Sequence, residues 1–290
     1  MFVLNSNNKE MKILIFGSKG MLGNYVKSYL NKKYKNVKEI NREAIDASNT
    51  SVEHLDSGFI YEGVSEGDVV INCMGTIKPR VDELGPLNAL QVNSVFPRLL
   101  GNVCEKYGAK LIHPTTDCVF TGNKGRYTEE DAHDVTDVYG RTKSLGEPEN
   151  CTVIRTSIIG EEKGPTRSLV EWIKSEKGNT VNGYTNHLWN GVTCLQFAKI
   201  CEEIITKNLF WSGVKHVFSP TAFNKKDLVE CISEEYELGI TVAPTETDVP
   251  CDRTLATIHK PIVTVPELSQ QILEMKNFIL DEAYSESNIR

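Results

Sequence analysis

Tyr139 and Lys143 stand four residues apart in a segment with helical character. An α-helix turns once every ~3.6 residues, so the two side chains share one face and the ammonium of Lys143 can lie beneath the phenol of Tyr139. We expect this charge to lower the pKa of the phenol from its unperturbed value near ~10, because a general acid-base group works best near the operating pH. Together with a glycine-rich segment upstream, the pair indicates nicotinamide chemistry.

The glycine-rich segment follows the apolar run Ile13–Phe16 and has the spacing GxxGxxG. Between a strand and a helix, missing side chains let the backbone approach a pyrophosphate at the helix N-terminus. The alternative is an ordinary tight turn. On the first interpretation Lys19 adds a positive charge, and the cofactor contacts are Gly17, Ser18, Lys19, Gly20, Met21 and Leu22.

The end of the second predicted strand carries Asn41 and Arg42, where a dinucleotide site usually presents an acid to the ribose hydroxyls. An arginine at this place favours the 2′-phosphate of NADP(H). Arg42 could also be an ordinary surface residue, and Glu43 could serve the ribose of NAD(H). We therefore expect NADPH, with NADH as the alternative. Asp46 and the turn Cys73-Met74-Gly75 would line the adenosine and pyrophosphate part of the cleft, unless they only end their strands.

Thr116 lies where a predicted strand ends at the cleft. Its hydroxyl could bind a carbonyl oxygen and help Tyr139 to polarise a C=O while a nicotinamide delivers hydride to the carbon. Lys143 would also hold the nicotinamide ribose. The alternative is that Thr115 and Thr116 are only caps or strand-forming residues.

Strands and helices alternate through the first part of the chain. The rhythm implies a Rossmann-type, doubly wound parallel α/β sheet with ligands at the carboxyl ends of its strands. Apolar strands are predicted at 12–16, 36–41, 68–72, 110–113 and 152–155, and helices at 21–30, 87–107, from 139, 168–174 and 194–207. Beyond about residue 160 the rhythm becomes irregular, which indicates a smaller lobe. We predict an NADP(H)-binding domain over 11–160 that 192–215 rejoins, a substrate-binding lobe from 161–191 and 216–280, and flexible ends at 1–10 and 281–290.

The bulk composition narrows the class of partner. The chain has 290 residues, a formal charge of -7 and scattered basic residues, which argues against nucleic acid or a membrane surface as the partner. Its eight cysteines show no CxxC pair and no zinc-ligand spacing, so we expect reduced thiols and no metal. No apolar stretch approaches the ~20 residues that span a bilayer, and 1–10 lacks the pattern of a secretory signal. We expect a cytoplasmic protein that binds a small molecule.

These motifs together resemble a known family, the extended short-chain dehydrogenases/reductases, and within it the dTDP-4-dehydrorhamnose reductase group of sugar-nucleotide enzymes. The resemblance rests on the glycine loop, the segment 116–120, Tyr139-x-x-x-Lys143, Arg155-Thr156-Ser157 and the segment 186–193. It implies reduction, by NAD(P)H, of a 4-keto-6-deoxyhexose attached to a nucleoside diphosphate, as in rhamnose-type deoxysugar biosynthesis. It also implies catalytic roles for Thr116, Tyr139 and Lys143, cofactor contacts at Thr156 and Ile158, a helix carrying Asn93 beside the active site, and it allows a homodimer.

Cys118 departs from the reductase pattern, which commonly has tyrosine two places after the catalytic hydroxyl residue. The cysteine resembles the bifunctional epimerase/reductases, such as GDP-fucose synthase and the plant UDP-rhamnose enzyme, in which it moves protons beside the ketone. A thiol with a pKa near ~8.5 can take and return such a proton. A lone cysteine is also a common small buried hydrophobe. The partner acid is open, with His187 and Lys174 as candidates.

The predicted substrate contacts are Thr116, Asp117, Cys118, Asn186, His187, Trp189 and Arg253. Arginine forks at Arg155 and Arg253 suit a diphosphate, and the face of Trp189 suits a base. Each could instead be a surface ion pair or a packing residue. Because the family includes a regulatory subunit of methionine adenosyltransferase, the alternative function is a non-catalytic, NADP-binding regulatory subunit of the same fold.

Overall fold

The computed structural model of the chain describes residues 10–162 and 168–281. The predicted flexible ends fall mostly on residues 1–9 and 282–290, which lie outside the described residues. The first half of the described chain contains β1 Ile13–Phe16, α1 Met21–Asn31, β2 Val37–Ile40, α2 Val52–Glu62, β3 Val69–Asn72, α3 Lys78–Leu84, α4 Pro86–Leu90, a π-helical turn Gln91–Val95, α5 Phe96–Tyr107, β4 Lys110–Thr115, α6 Val138–Leu145 and β5 Thr152–Arg155.

The second half mixes short strands with helices. It contains β6 Ile158–Ile159, α7 Leu169–Ser175, β7 Thr180–Tyr184, β8 His187–Trp189, β9 Val192–Thr193, α8 Cys194–Thr206, β10 Gly213–His216, β11 Phe223–Asn224, α9 Lys225–Glu235, β12 Thr241–Thr245, β13 Cys251–Asp252 and α10 Leu268–Lys276. Two 3-10 turns lie at Ala47–Asn49 and Asp117–Val119.

Six strands form one parallel sheet in the order β10-β5-β4-β3-β1-β2. Alternate side chains of β1 point to opposite faces, because side chains alternate along a strand. Ile13 and Ile15 join a buried cluster with α1 and α8, whereas Leu14 and Phe16 join a second cluster with α2 and α5. Helices therefore cover both faces, and the predicted doubly wound fold is confirmed.

The chain reverses its direction of travel across the sheet at β1, whose neighbours are β2 on one side and β3 on the other. Such a reversal opens a crevice at the carboxyl ends of the two strands, where α/β sheets bind ligands. Gly17 lies at this place with φ +77°, and a Cβ on it would come within 3.0 Å of the backbone of Cys73. A Cβ on Gly23 would overlap the carbonyl oxygen of Gly17. The glycine loop is thus packed directly against the turn after β3.

The strands outside the main sheet form three short sheets among the described residues. β8 lies between β11 and β13, β7 pairs with β12, and β6 pairs with β9. α9 packs against β7 and β12, and α10 packs against α8 and α9. Among the residues that the structure describes, no helix has both the length and the apolar character needed to cross a membrane.

The two glycines of the loop predict different responses to alanine. Gly23→Ala should lower the free energy of unfolding by at least about 2 kcal/mol, because the new methyl group has no room against the Gly17 carbonyl. Gly20→Ala should cost less than about 1 kcal/mol, since the atom nearest to its Cβ is 3.5 Å away. Denaturant unfolding without cofactor measures both values, and equal losses would contradict the packing described here.

Candidate active site

The N-terminus of α1 has free hydrogen-bond donors facing the crevice. Gly20 is its N-cap residue, no side chain among the residues that the structure describes caps the helix, and its first turn holds no acidic residue. Uncapped N–H groups and the helix dipole together favour a phosphate group. The glycine loop therefore fits the pyrophosphate of a dinucleotide, with Met21 and Leu22 half-buried in the first turn.

An acid that the sequence analysis missed lies beside this loop. The Ser18 hydroxyl donates to the carboxylate of Glu39 at 2.7 Å, and Lys27 lies 3.7 Å from the same carboxylate. Glu39 is the penultimate residue of β2, two places before the Asn41 at which the sequence analysis looked for an acid. The polar residues within β2 were the sequence feature that could have indicated this acid.

Arg42 and Asp46 form an ion pair with each other at 3.0 Å. Asp46 also caps the first 3-10 turn by accepting from the backbone N–H of Ser48 at 2.9 Å. Its hydrogen bonds to Ser48 and the neighbouring Arg42 lower the pKa of Asp46, although burial opposes them. Asp46 thus acts as a local support for Arg42, whose side chain is 75% exposed at the edge of the crevice.

The turn after β3 forms the other wall of the crevice. The backbone N–H of Met74 donates to Asn72 Oδ1 at 3.1 Å, which fixes the turn, and Gly75 is exposed. Burial raises the pKa of the Cys73 thiol to about 12, and this side chain packs as a neutral group against the buried cluster beneath the sheet edge, while its backbone lies against Gly17. The structure therefore brings Cys73, Met74 and Gly75 to the predicted place.

Thr156 and Ile158 follow the carboxyl end of β5. The backbone N–H of Thr156 donates to Thr115 O at 3.3 Å, and Ile158 packs against the clusters on both sides of α1. The hydroxyl of Thr115 is buried and has no hydrogen-bond partner among the described residues. This edge of the sheet therefore offers a free polar group close to Thr116.

α6 is held in place by two very close backbone contacts. A Cβ on Gly140 would overlap the carbonyl oxygen of Cys118, and one on Gly146 would overlap that of Asn93. Asn93 also donates to Thr76 O at 2.9 Å and to Thr142 Oγ1 at 3.2 Å. The helix that carries Asn93 therefore packs against α6, and its π-helical turn is the kind of irregularity often found at functional sites.

Tyr139 projects from α6 towards the turn after β4, where its phenol lies close to the side chains of Thr116 and Cys118. The Thr116 hydroxyl also accepts from the backbone N–H of Cys118 at 3.1 Å. Burial, with a smaller contribution from Cys118, raises the pKa of the Tyr139 phenol above its usual value. The expectation that Lys143 lowers this pKa was wrong, because burial dominates. The phenol is therefore a neutral proton donor at physiological pH.

Lys143 lies one turn further along α6 and is itself buried. Its ammonium donates to Pro114 O at 3.3 Å, and burial lowers the pKa of Lys143 to about 8, opposed by Glu147. His113 lies beneath it in β4 and shares a 3.1 Å hydrogen bond with Asn72. Burial, followed by the charge of Lys143, holds the pKa of His113 well below its usual range. Within residues 10–162 and 168–281 no carboxylate is hydrogen-bonded to Lys143, so its remaining donors can serve a ligand.

Cys118 and Asp117 sit in the 3-10 turn that Thr116 caps. Burial and the charge of Asp117 raise the pKa of the Cys118 thiol to about 12, while Arg253 opposes this rise. Arg253 reaches across from the end of β13, with Nη1 3.9 Å from Cys118 Sγ and Nε donating to Phe120 O at 3.0 Å. The cleft thus contains a neutral thiol with a guanidinium beside it.

Two predicted substrate contacts are occupied by the loop after β12. Asn186 donates to Thr247 O at 2.8 Å and accepts from its backbone N–H at 3.2 Å, while His187 bonds the Thr247 hydroxyl at 2.8 Å. These side chains tie β8 and the residue before it to the loop after β12. The geometry therefore does not favour Asn186 and Nε2 of His187 as substrate contacts, because Thr247 already engages them.

The environment of the Trp189 ring also differs from the prediction. Its ring is 4% exposed and belongs to a buried cluster that joins α9 and α10 to Tyr25 of α1, so it does not present a free face to a base. Instead, the ammonium of Lys225 lies 5.5 Å from the centre of the ring. Sequence reasoning missed Lys225, since a single lysine at the start of a helix gives no distinguishing signal.

The side chains of Arg155 and Lys174 form ion pairs that engage their charges outside the predicted site. Arg155 is 2% exposed and donates to both carboxylate oxygens of Glu147, at 3.1 and 2.6 Å, as well as contacting His133 and His216. Lys174 is paired with Glu161 and Glu171 in the lobe. The suggested roles for Arg155 at a diphosphate and for Lys174 beside Cys118 were therefore wrong.

Comparison with known proteins places the chain in a family. Residues 11–250 match the family model described as the RmlD substrate binding domain. Over 299 residues the chain is 27% identical to the probable low-salt glycan biosynthesis reductase Agl14 of Haloferax volcanii, covering 95% of this chain and 99% of that one. Over 268 residues it is 30% identical to the methionine adenosyltransferase 2 subunit beta of Rattus norvegicus, covering 84% and 78% respectively.

A solved structure has the same fold. The dTDP-4-dehydrorhamnose reductase of Bacillus anthracis, in complex with NADP, superimposes with a TM-score of 0.76. The superposition covers 92% of this chain and 99% of the other at 16% sequence identity. At this identity the likeness concerns the fold.

The role of Arg155 can be tested by removing its charge. Arg155→Met should lower the free energy of unfolding by about 3 kcal/mol, because Glu147 then stays buried without its partner. The matched change Arg141→Met, at an exposed position of α6, should stay within about 0.5 kcal/mol of the wild type. Denaturant unfolding measures both. Unchanged stability together with weaker binding of a nucleoside diphosphate would return Arg155 to the substrate site.

Proposed function

This chain belongs to the family of the RmlD substrate binding domain, and from that premise we propose that it reduces the 4-keto group of a nucleoside-diphosphate 4-keto-6-deoxyhexose with NADPH. The observation that carries the proposal is the Tyr139 phenol close to the Thr116 side chain, with Lys143 on the next turn of α6. This acid lies at the carboxyl edge of the sheet, across from a glycine loop that fits a pyrophosphate.

Three side chains carry the proton chemistry. When bound, the nicotinamide supplies the hydride that reduces C4. The Thr116 hydroxyl orients the C4 oxygen, and the Tyr139 phenol, kept protonated by burial, gives its proton to the alkoxide. An alkoxide is a stronger base than a phenolate, so the transfer is favourable even though the pKa of the phenol is raised. Lys143 holds the nicotinamide ribose and compensates the phenolate that remains.

The choice of NADPH rests on Arg42 at the crevice and on the NADP carried by the related Bacillus anthracis structure. A guanidinium suits a 2′-phosphate. Glu39 opposes this choice, because a carboxylate close to the glycine loop suits ribose hydroxyls and repels a phosphate. We therefore propose NADPH as the preferred cofactor and NADH as a weaker one.

Cys118 supports an additional step, the inversion of C3 or C5 before reduction. The thiol lies in the same turn as Thr116, so it faces carbons beside the ketone when Thr116 holds the carbonyl oxygen. Protons on these carbons are acidified because the resulting enolate places its charge on that oxygen. The proposed activity is then a bifunctional 3,5-epimerase/4-reductase.

A regulatory role is the second candidate, and the match to the methionine adenosyltransferase 2 subunit beta favours it. Such a subunit would bind NADP and a partner enzyme without turnover. The discriminating experiment titrates the protein with NADPH and then follows NADPH oxidation with dTDP-, UDP- and GDP-linked 4-keto-6-deoxyhexoses. Turnover with one of them supports the reductase. Cofactor binding without turnover on any of them supports the regulatory subunit.

Tyr139→Phe tests the acid. The variant should lose turnover by ~100-fold or more, because the proton donor is gone while the ring still packs. Tyr61→Phe, at an 87% exposed position of α2, is the matched control and should leave turnover unchanged. Steady-state NADPH oxidation measures both variants, and near-normal turnover in Tyr139→Phe would refute the assignment.

Arg42→Ala tests cofactor choice. Losing a charge-assisted contact with the 2′-phosphate should raise KM for NADPH roughly tenfold, because such hydrogen bonds contribute about 1.5–3 kcal/mol. KM for NADH should change less than about twofold. Paired measurements with the two cofactors give the ratio, and an equal change in both would place Arg42 away from the 2′-phosphate.

A further inference from the structure

His133 lies in the loop that precedes α6, and the proposed reduction does not use it directly. Its side chain is 25% exposed. Its Nδ1 lies 2.5 Å from the Ser144 hydroxyl, and its Nε2 lies 2.7 Å from Nη2 of Arg155. Its ring packs edge-on against Phe120, with 5.6 Å between the ring centres. The imidazole therefore joins α6, β5 and the segment after β4.

The loop around His133 is fixed by contacts that do not involve the imidazole. Asp134 accepts from the backbone N–H of Thr121 at 2.7 Å. The backbone N–H of Val135 donates to Val119 O at 3.3 Å. The backbone on both sides of the imidazole is thus tied to the segment after β4, and we expect the loop to keep its place when the ring is replaced.

The tautomer of His133 follows from its two partners. A guanidinium has only donors, so Nε2 of His133 must be the acceptor of the Arg155 bond. In a neutral imidazole the other nitrogen then carries the proton, so Nδ1–H donates to Ser144 Oγ. An imidazolium has a donor at both nitrogens, and its Nε2–H would face a donor of Arg155. Only the neutral ring therefore satisfies both contacts.

Ser144 is the residue of α6 through which this contact can reach the active site. It follows Lys143 and lies four residues after Gly140, on the face of the helix that rests against the Cys118 carbonyl. The neighbouring face carries Tyr139 and Lys143. A rotation of α6 about its axis moves both faces together, so a contact that holds Ser144 also holds the phenol and the ammonium.

We propose that His133, as the neutral imidazole, is a positioning residue for the reduction, which fixes the rotation of α6 through Ser144 and releases the helix when it is protonated. The ring has a firm anchor, because Arg155 is 2% exposed and donates to both carboxylate oxygens of Glu147. The inference rests on the proposed reduction for its effect on turnover. Because His133 acts through the helix, it should change kcat and leave cofactor binding unaltered.

The charged groups that face His133 come from three places. They are Arg155 of β5, Glu147 beyond the end of α6 at 3.7 Å from Nε2, and Asp134 of the loop itself. Burial lowers the pKa of His133, Glu147 and Asp134 oppose this fall, and Arg155 adds to it. The ring is therefore still neutral at the ordinary histidine pKa of ~6.5, and it becomes charged as the pH falls below that value.

Two other groups near this network titrate in different ranges. Nε2 of His216 accepts from Arg155 Nη1 at 2.8 Å, and its Nδ1 donates to Ala256 O at 2.6 Å. Burial, followed by the charge of Arg155, lowers the pKa of His216 to about 4. Burial lowers the pKa of Lys143 to about 8. Neither group therefore accounts for a change in turnover just below pH ~6.5.

The experiment measures steady-state NADPH oxidation between about pH 5 and 8, with saturating 4-keto sugar nucleotide. The variants are His133→Phe, His133→Asn, Ser144→Ala and the double variant His133→Phe/Ser144→Ala. His54→Asn, at an exposed position of α2, is the matched histidine control. Thermal unfolding and NADPH titration check that each variant folds and binds cofactor.

His133→Phe should lower kcat roughly tenfold and leave KM for NADPH within about twofold, because a small displacement of Tyr139 slows the chemical step. Asparagine keeps an N–H donor near the place of Nδ1 and has no titratable ring. His133→Asn should therefore recover most of kcat and lose the decrease in kcat below pH ~6.5 that the wild type shows. In the His133→Phe background Ser144→Ala should cost less than about twofold, because both changes remove the same contact.

Several outcomes would overturn the inference. These are a normal kcat in His133→Phe, fully additive losses in the double variant, or an acid decrease in kcat that persists in His133→Asn. A fall in thermal stability with an unchanged pH profile would make His133 a purely structural residue. His54→Asn should match the wild type throughout.

A wild type that oxidises no NADPH with any 4-keto sugar nucleotide would remove the proposed reduction, and the inference is then decided without turnover. Nitrogen NMR of the imidazole shows which nitrogen carries the proton. Amide hydrogen exchange of 138–145, compared with His133→Asn at the same pH, shows whether protonation releases α6. We expect the Nδ1–H tautomer and faster exchange in the wild type at low pH. The other tautomer, or equal exchange in the two proteins, would contradict the positioning role.

Discussion

The active site depends on how closely the backbone of α6 approaches its neighbours. Tyr139 can meet Thr116 only if α6 lies directly against the turn after β4, and any side chain at Gly140 would overlap the carbonyl of Cys118. The other end of α6 is pressed against Asn93 in the same way through Gly146. Asn93 in turn ties the loop after β3 to α6 through Thr76 and Thr142. Backbone contacts of α6 therefore set the position of the Tyr139 phenol. Such contacts allow the helix less movement than contacts between side chains would.

Burial then decides the protonation state of each group that α6 and the turn bring together. It raises the pKa of the Tyr139 phenol and of the Cys118 thiol and lowers the pKa of Lys143 and Lys225. Every one of these shifts disfavours charge. A cleft of neutral acids and weakened bases suits reduction and enolisation of a ketone, because both reactions begin with a neutral substrate group and develop negative charge on its oxygen.

The sequence predicted the framework well because the framework depends on local patterns. The strand at 152–155 and the helix from Cys194 were predicted almost to the residue, since strands buried on both faces read as apolar runs and an amphipathic helix has its own period. The pairing of Tyr139 with Thr116 followed from the order of motifs along the fold. The burial of the side chains and their hydrogen-bond partners could not be predicted from the sequence, because both depend on contacts between residues far apart in sequence. Arg155, for example, was predicted to bind a diphosphate, but its guanidinium is paired with the carboxylate of Glu147.

The lobe contributes to the site through a second set of close contacts, between the segment after β4 and the end of β13. A Cβ on Gly122 would lie 2.6 Å from Cys251 Sγ. The backbone N–H of Tyr127 donates to Thr254 O at 2.9 Å, so no side chain lies between these two segments. Arg253 lies between these points, and its Nε bonds the carbonyl of Phe120. The guanidinium beside Cys118 is thus positioned by the same segment that carries the thiol. The end of β13 is consequently fixed against the segment after β4, because the Arg253 guanidinium is bound to the backbone two residues away from Cys118.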